Sequence, residues 1–585
     1  MMRSADRPRH ATCVILLVIA ALGSGTRAEQ QSRIAGRVVT NDRPPAPLAR
    51  VLVTVRAEGL DFNRTVVTDP DGGFAFDDLP AGRFTVTAVR APFVSSEYGA
   101  KRPGRPGTPV TLAPGQAATD LVIPLSRGAV ITGIVRDGSG LPAPGVRVEL
   151  VALDVAAGFR GTPIATDDRG VYRAFGLPPG RYIAMASLED RATVTGLDAM
   201  SDEEMDEVLA ALARRRAGGL TPPTAPVVAG NLTEPALDAE ADSTFGYAPV
   251  FYPGTPDPSR AVAIDLGEGE ERAGLDIDIA LIELGAIEGR VQTSSGEPAP
   301  EARLTLARLG MSEPLRVLIP RILGRVDDGG RFSFDNLAPG DYRVTAGTSG
   351  EAKSWALADV RVGSGSTRLD LTLAPALHIA GRVVLDGAGV PDSPAGFFRL
   401  QLVDANGGEP LQTIGFPRPD GTFSMDGILP GTYTMRATNG PDDWWLRSVI
   451  VDGRDILDRP LEMGLADDVE EAVATYTSRH SELSGTLQLP AGAPATDYFI
   501  VVFPADEGLW RSGARRVQST RPGTDGRFAF RDLPGGRYLL AALTDVEPTE
   551  LADTAFLQQL ATAAVAVDVA DGATTVQDLR LAGGS

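Results

Sequence analysis

The feature that most constrains this chain is a pattern that returns five times along it at a period near 100 residues. Each copy opens on a short apolar strand with glycine at its centre: Ile34-Ala-Gly36-Arg-Val38, Ile131-Thr-Gly133-Ile-Val135, Ile287-Glu-Gly289-Arg-Val291, Ile379-Ala-Gly381-Arg-Val383 and Leu483-Ser-Gly485-Thr-Leu487. Some 37 to 41 residues past that glycine come a second glycine in a turn, alternating apolar or aromatic residues and a Pro-x-Gly corner. The first copy runs Asp71-Gly72-Gly73-Phe74-Ala-Phe76 to Leu79-Pro80-Ala-Gly82-Arg-Phe84, and the fifth Asp525-Gly526-Arg-Phe528-Ala-Phe530 to Leu533-Pro534-Gly-Gly536-Arg-Tyr538. Self-similarity at a fixed period defines the structural unit and has to be read before any local motif.

The chemistry of the unit specifies strands. Asp-Gly supplies the positive φ of a tight hairpin turn, and x-Phe-x-Phe sets both rings on one face of an extended segment, which must then be core. The Pro-x-Gly corner feeds a second alternating strand such as Phe84-Thr-Val86-Thr-Ala88 or Tyr342-Arg-Val344-Thr-Ala346. Each unit closes on another, as in Leu121-Val-Ile123-Pro-Leu125 and Leu369-Asp-Leu371-Thr-Leu373, with Ala472 to Tyr476 in that place in the fourth. About seven short strands in roughly 100 residues is the pattern of a β-sandwich.

A chain of 585 residues is too long for one core. The expected architecture is therefore all-β: a tandem array of five β-sandwich domains spanning 29–127, 128–284, 285–376, 377–480 and 481–585. The second unit carries an insertion over about 188–244. There Ser201 and Glu204 form a capping box ahead of the stripe Met205, Val208, Leu209 and Leu212, which predicts one short amphipathic helix. Thr221 to Pro226 reads as a Pro-rich loop. A second short helix is expected over Asp553 to Leu560, covering a sandwich edge.

The G-x-V opening and the D-x-x-G-x-F-x-F…L-P-x-G-x-Y run resemble the carboxypeptidase regulatory-like domain over nearly all of residues 30 to 585, and the resemblance implies that each sandwich is of the Greek-key, prealbumin-like (transthyretin-like) form. The resemblance implies no catalysis by the domains themselves. It implies modules that sit beside peptidase domains, precede outer-membrane receptors or form arrays in exported bacterial proteins, and related sandwich folds bind carbohydrate.

The first residues read as a secretory signal over 1–28: Arg3, Arg7 and Arg9 precede an apolar run from Val14 to Leu22, with cleavage expected after Ala28. That run is far short of the roughly 20 residues that span a bilayer. The single cysteine, Cys13, falls inside the signal and ahead of that run, so the mature chain forms no internal disulfide, as befits a bacterial exported protein with full-sized cores. Loss of residues 1–28 removes four Arg and one Asp and deepens the whole-chain charge of −21. Such a surface repels nucleic acid and anionic lipid.

Catalytic patterns are missing from the sequence. The mature chain has two histidines, His378 and His480, about 100 residues apart at unit boundaries, which does not suit a zinc site or a serine triad. No Gly-x-Ser-x-Gly elbow occurs. Acidic turns such as Asp69-Pro-Asp71-Gly72 and Asp327-Asp328-Gly329 look like calcium loops, but the twelfth loop position is Pro80 or Ala338 where an EF-hand needs Glu. No catalytic residue, metal or cofactor is expected.

The candidate ligand contacts are aromatic. Tyr247 and Tyr252 belong to a cluster with Phe245 and Phe251 that rejoins the second sandwich, and serve either as a stacking platform or as packing. Trp444 and Trp445, being adjacent, face opposite sides of an extended segment, so one is core and the other a candidate contact. The reading is a non-enzymatic exported binding or scaffolding protein with a protein or glycan partner at the cell envelope. Its alternatives are a carbohydrate-binding protein using exposed aromatics, and an accessory subunit of an exported peptidase or outer-membrane receptor.

Overall fold

The computed structural model describes residues 32–59, 62–153, 161–188, 193–195, 244–311, 313–316, 318–319, 321–349, 353–387, 398–405, 414–439, 444–511 and 513–582. Among them the chain is all-β, and its strands form ten sheets. These face each other as five pairs, each enclosing one cluster of buried side chains drawn from both sheets. We number the sheet pairs one to five in chain order.

One plan recurs. The opening strand lies between two neighbours in the first sheet of its pair. On one side it pairs antiparallel with the strand of alternating aromatics: Ser32–Thr40 with Gly73–Leu79, Ala129–Arg136 with Val171–Leu177, Leu281–Gln292 with Arg331–Leu337, Leu377–Asp386 with Thr422–Ile428, and Glu482–Gln488 with Arg527–Arg531. On the other side the closing strand runs parallel to it. The second sheet is built on the strand that follows the Pro-rich turn, paired antiparallel with the strand that leaves the Pro-x-Gly corner, as Leu52–Ala57 with Gly82–Val89. Period-two alternation sets the inner faces. Phe74 and Phe76, Phe332 and Phe334, and Phe528 and Phe530 are buried edge-to-face pairs with centroids 6.1, 5.9 and 6.1 Å apart.

The glycine of the opening strand has a steric cause. A Cβ on Gly36, Gly133, Gly289, Gly381 or Gly485 would sit closer to the carbonyl oxygen of Leu121, Leu275, Leu369, Ala472 or Gln577 than real side chains come. The closing strand therefore crosses the opening strand over a bare backbone. The turn glycine meets a second demand. Gly72, Gly170, Gly330, Gly421 and Gly526 all have φ between 70° and 82°, the left-handed region that glycine enters freely. Each returns its carbonyl to the opening strand, as Val38 N–H to Gly72 O at 2.9 Å and Val291 N–H to Gly330 O at 2.7 Å.

The Pro-x-Gly corner is also tied. Tyr182, Tyr342, Tyr433 and Tyr538 donate their hydroxyls to the carbonyls of Pro178, Ala338, Leu429 and Pro534, four residues back, at 2.6 to 2.8 Å. Phe84 holds this place in pair one. Burial pushes the Tyr433 hydroxyl up to about 12, with a contribution from Asp404, because a phenolate cannot be hydrated there.

Two expectations are corrected. The aromatic stretch assigned to the second sandwich divides: Val250–Phe251 pairs within pair two, but Thr244–Tyr247, with Tyr247 at its end, adds to the third pair's sheet through Leu281–Gln292. That strand is 12 residues long and begins ahead of the third repeat, so its first residues offer an edge to the returning chain. The late helix is Thr554–Ala561, capped by Asp553. It covers a sheet face instead of an edge, because every residue of Phe499–Pro504 is buried. Phe499, Val501 and Phe503 point away from the sandwich core and pack with Leu557 and Leu560 of the helix. The signal at 1–28, the helix from Ser201 to Leu212 and the Pro-rich stretch at 221–226 lie outside the described residues. No described helix is long and apolar enough to cross a membrane.

Candidate functional site

Trp444 is 9% exposed and packs in the core of pair four, its ring edge-on to Phe398 with centroids 6.2 Å apart. Trp445 is half-buried on the other face, and its indole N–H donates to Arg479 O at 3.1 Å. Tyr247 and Tyr252 are half-buried against the core of pair two, Tyr247 from the strand that joins the third pair's sheet, and the tryptophans lie in pair four, so the four aromatics form no shared platform. Trp510 is buried and donates to Pro504 O at 2.7 Å.

The remaining chemistry-bearing residues also have structural partners. His378 Nε2 is 2.9 Å from Glu470 Oε1, and His480 Nδ1 is 2.6 Å from Asp532 Oδ1. The calcium-like turns close on themselves: Asp69 Oδ1 accepts from the N–H groups of Asp71 and Gly73 at 2.9 and 2.7 Å, and Asp327 Oδ1 from Gly329 and Arg331 at 2.9 and 2.7 Å. These are Asx turns, in which the carboxylate does the work of a backbone carbonyl. No group of three or more potential ligands gathers for a metal among the described residues.

The less ordinary geometry lies between the pairs. Pairs two and three meet through carbon: Met311, Leu315 and Leu318 pack on Val151, Ile183, Met185 and Phe251. Pairs four and five meet through charge. Asp458, 7% exposed, accepts from Arg515 Nε at 2.8 Å and Nη2 at 3.0 Å, and from Arg516 Nε at 2.7 Å. Arg515 also donates to Asp455 Oδ2 at 3.0 Å and to the carbonyls of Leu446 and Arg447. Arg516 reaches the Tyr538 hydroxyl at 2.9 Å and so joins the junction to the corner of pair five. Burial would push the Asp458 carboxyl up, yet the hydrogen bonds and charges of Arg515 and Arg516 outweigh it and hold the group below its usual range. A fixed guanidinium fork suits this task better than a lysine.

Clefts open beside both junctions. One of about 430 Å³ lies between Asp257, Ser259, Arg308, Asp341 and Arg361, and one of about 710 Å³ between Arg454, Asp455, Arg459, Leu509 and Arg516. Interfaces between folded units are where small-molecule sites are commonly found. Sequence reasoning passed over all these residues. The available signal was the doubled Arg515-Arg516, in a chain whose other surface arginines stand mostly alone.

Repeated two-sheet units define an all-β sandwich protein. More particularly, residues 33–126 and 286–374, in pairs one and three, match the carboxypeptidase regulatory-like domain family. Among solved structures, the TIE protein of Bacillus anthracis aligns at 9% identity over 74% of this chain and 68% of its own, with a TM-score of 0.15. The minor pilin GBS52 of Streptococcus agalactiae aligns at 11% identity over 43% of this chain and 96% of its own, with a TM-score of 0.23. A putative carbohydrate binding protein of Pseudomonas aeruginosa aligns at 18% identity over 15% and 88%, with a TM-score of 0.12. No curated relative matches the chain.

Proposed function

We propose that the chain is a non-enzymatic scaffolding or binding protein of the bacterial envelope, exported by its arginine-led apolar N-terminus and divided into five domains at 29–127, 128–284, 285–376, 377–480 and 481–585. The observation that carries this reading is that the same interior recurs five times while the contacts between pairs differ at each place described. A repeated interior is a device for holding surfaces at fixed spacing, and several weak sites on one chain gain affinity through effective concentration. The burial of Trp444 and the hydrogen bond that holds Trp445 favour a protein partner over a glycan. Affinity capture from envelope extract with the purified chain tests the reading. It should retain a protein partner, and Arg454→Glu in the larger cleft should weaken that retention. Turnover of a substrate by the purified chain would overturn it, and glycan binding lost in Trp445→Ala would replace it with the carbohydrate reading.

A further inference from the structure

The first and last sheet pairs touch, through contacts between residues as many as 445 positions apart in sequence. The loop between Ser96–Glu97 and Val110–Leu112 of pair one carries Lys101, Arg102 and Arg105. It faces Asp497, Asp545 and Glu547 of pair five. Lys101 Nζ lies 3.1 Å from Asp497 Oδ2, Arg102 Nη2 contacts Asp545 and is 2.6 Å from Glu547 Oε1, and Arg105 Nη1 is 2.7 Å from Glu547 Oε2 while its other amino group reaches Val546 O.

The exchange also runs the other way. Arg521 of pair five is 3% exposed; it donates to Gly99 O at 2.7 Å and Pro106 O at 3.0 Å of pair one, and to Thr496 O at 2.8 Å of its own, with Phe499 beneath its guanidinium. Arg83 of pair one donates to the carbonyls of Arg521 and Arg527. Backbones meet as well, Thr524 N–H giving to Pro109 O at 3.0 Å and Thr111 N–H to Thr524 Oγ1 at 3.1 Å.

We propose that this contact is an intramolecular latch, and that the array works as a closed ring of five sandwiches instead of an extended row. Several features separate it from a chance collision of surfaces. Buried arginine donors end on backbone carbonyls of the opposite pair, directed bonds that unmatched surfaces would not supply. In the ion pairs the cations all come from the pair-one loop and the anions all from pair five, which favours one register. The remaining contacts complete the cycle: Gly128 N–H to Pro92 O at 3.0 Å and Asn41 Nδ2 to Glu268 at 2.9 Å link pairs one and two, and Lys353 Nζ to Asp426 O at 3.0 Å links three and four. Because both partners belong to one chain, closure within it is independent of protein concentration, whereas the same contact made between two chains strengthens with it.

Small-angle scattering of the full chain tests the latch. Arg102→Glu with Arg105→Glu, both on a loop outside every core, should raise the radius of gyration by roughly a third or more. Adding Asp545→Arg and Glu547→Arg should restore it. A radius unchanged by the first pair of substitutions overturns the ring, as does failure of the second pair to restore it. An independent check places cysteines at Thr111 and Thr524 in a Cys13→Ser background. Oxidation should give a cross-linked monomer, and uncrosslinked chain or linked dimers would refute closure within one chain.

Discussion

The interior of the sheet pairs and the contacts between them are built on opposite principles. Inside, the same solution appears five times: a bare glycine under the closing strand, a left-handed glycine at the hairpin, and alternating apolar residues. Between pairs the junctions differ among the described residues, with carbon joining two to three, a carboxylate under two arginines joining four to five, and a basic loop on an acidic corner joining five to one. Repetition marks what the fold needs, and the unlike junctions are where this chain acquires an arrangement of its own.

The sharpest way to break that contrast is at the opening glycine. Gly289→Val puts carbon onto Leu369 O in the middle of pair three and should cost roughly 4 kcal/mol or more. Gly363 has nothing within 4 Å of a Cβ, and Gly363→Ala should stay within about 0.5 kcal/mol of the parent. Denaturant titration compares them, and equal effects would mean that the crossing is not what holds the repeat.

Next in size is the charged junction. Asp458→Ala leaves Arg515 and Arg516 half-buried without their shared acceptor and should cost about 3 kcal/mol. Because its folded pKa is depressed, the carboxylate contributes fully above the unfolded value of about 3.9 and loses that contribution as pH falls through the lower folded one. The difference between parent and variant, measured by thermal unfolding, should therefore be largest at neutral pH and shrink in acid. The apolar junction should behave otherwise. Leu315→Ala should cost about 2 kcal/mol through lost packing, with no dependence on pH and little on salt, whereas raising ionic strength toward 1 M, where screening acts over about 3 Å, should loosen the exposed pairs between one and five.

This contrast also accounts for what could be read in advance. The repeat was legible because period-two alternation and Asp-Gly turns are local signals, present within a dozen residues of each other. The crossing over Gly36 or Gly289 was visible as a glycine but not as a contact, since its partner carbonyl lies about 80 residues away. The junctions were least legible: Asp458 and Arg515 carry no pattern, and Arg105 meets Glu547 only once five modules have been placed. Trp444 and Trp445 were separable into inward and outward faces by adjacency alone, yet nothing local revealed that Arg479 O would hold the outer indole. The strand Thr244–Tyr247 was misplaced for a related reason, because the edge it joins exists only when Leu281–Gln292 is allowed to start before its repeat.

The smallest effect probes a position where the repeated interior is itself unequal. Tyr433 gives its hydroxyl to Leu429 O inside the corner of pair four, and Tyr433→Phe should cost about 1 kcal/mol. Its pKa is pushed up to about 12 by burial, so the neutral hydroxyl stabilises the fold fully below the unfolded value of about 10, and that stability is lost as pH rises through the folded one. The parent should thus lose its advantage over the variant between these limits, followed by chemical unfolding with near-ultraviolet absorbance reporting ionisation. Pair one is the natural comparison, with Phe84 at the equivalent corner. Pro80, whose carbonyl would be the acceptor there, is exposed, where Pro178, Ala338, Leu429 and Pro534 are all buried. Water can satisfy the first corner and cannot reach the others, so Phe84→Tyr should gain less than Tyr433→Phe loses. An equal gain would show that the hydroxyl serves the corner whether or not water has access, and that the interior is more uniform than its sequence.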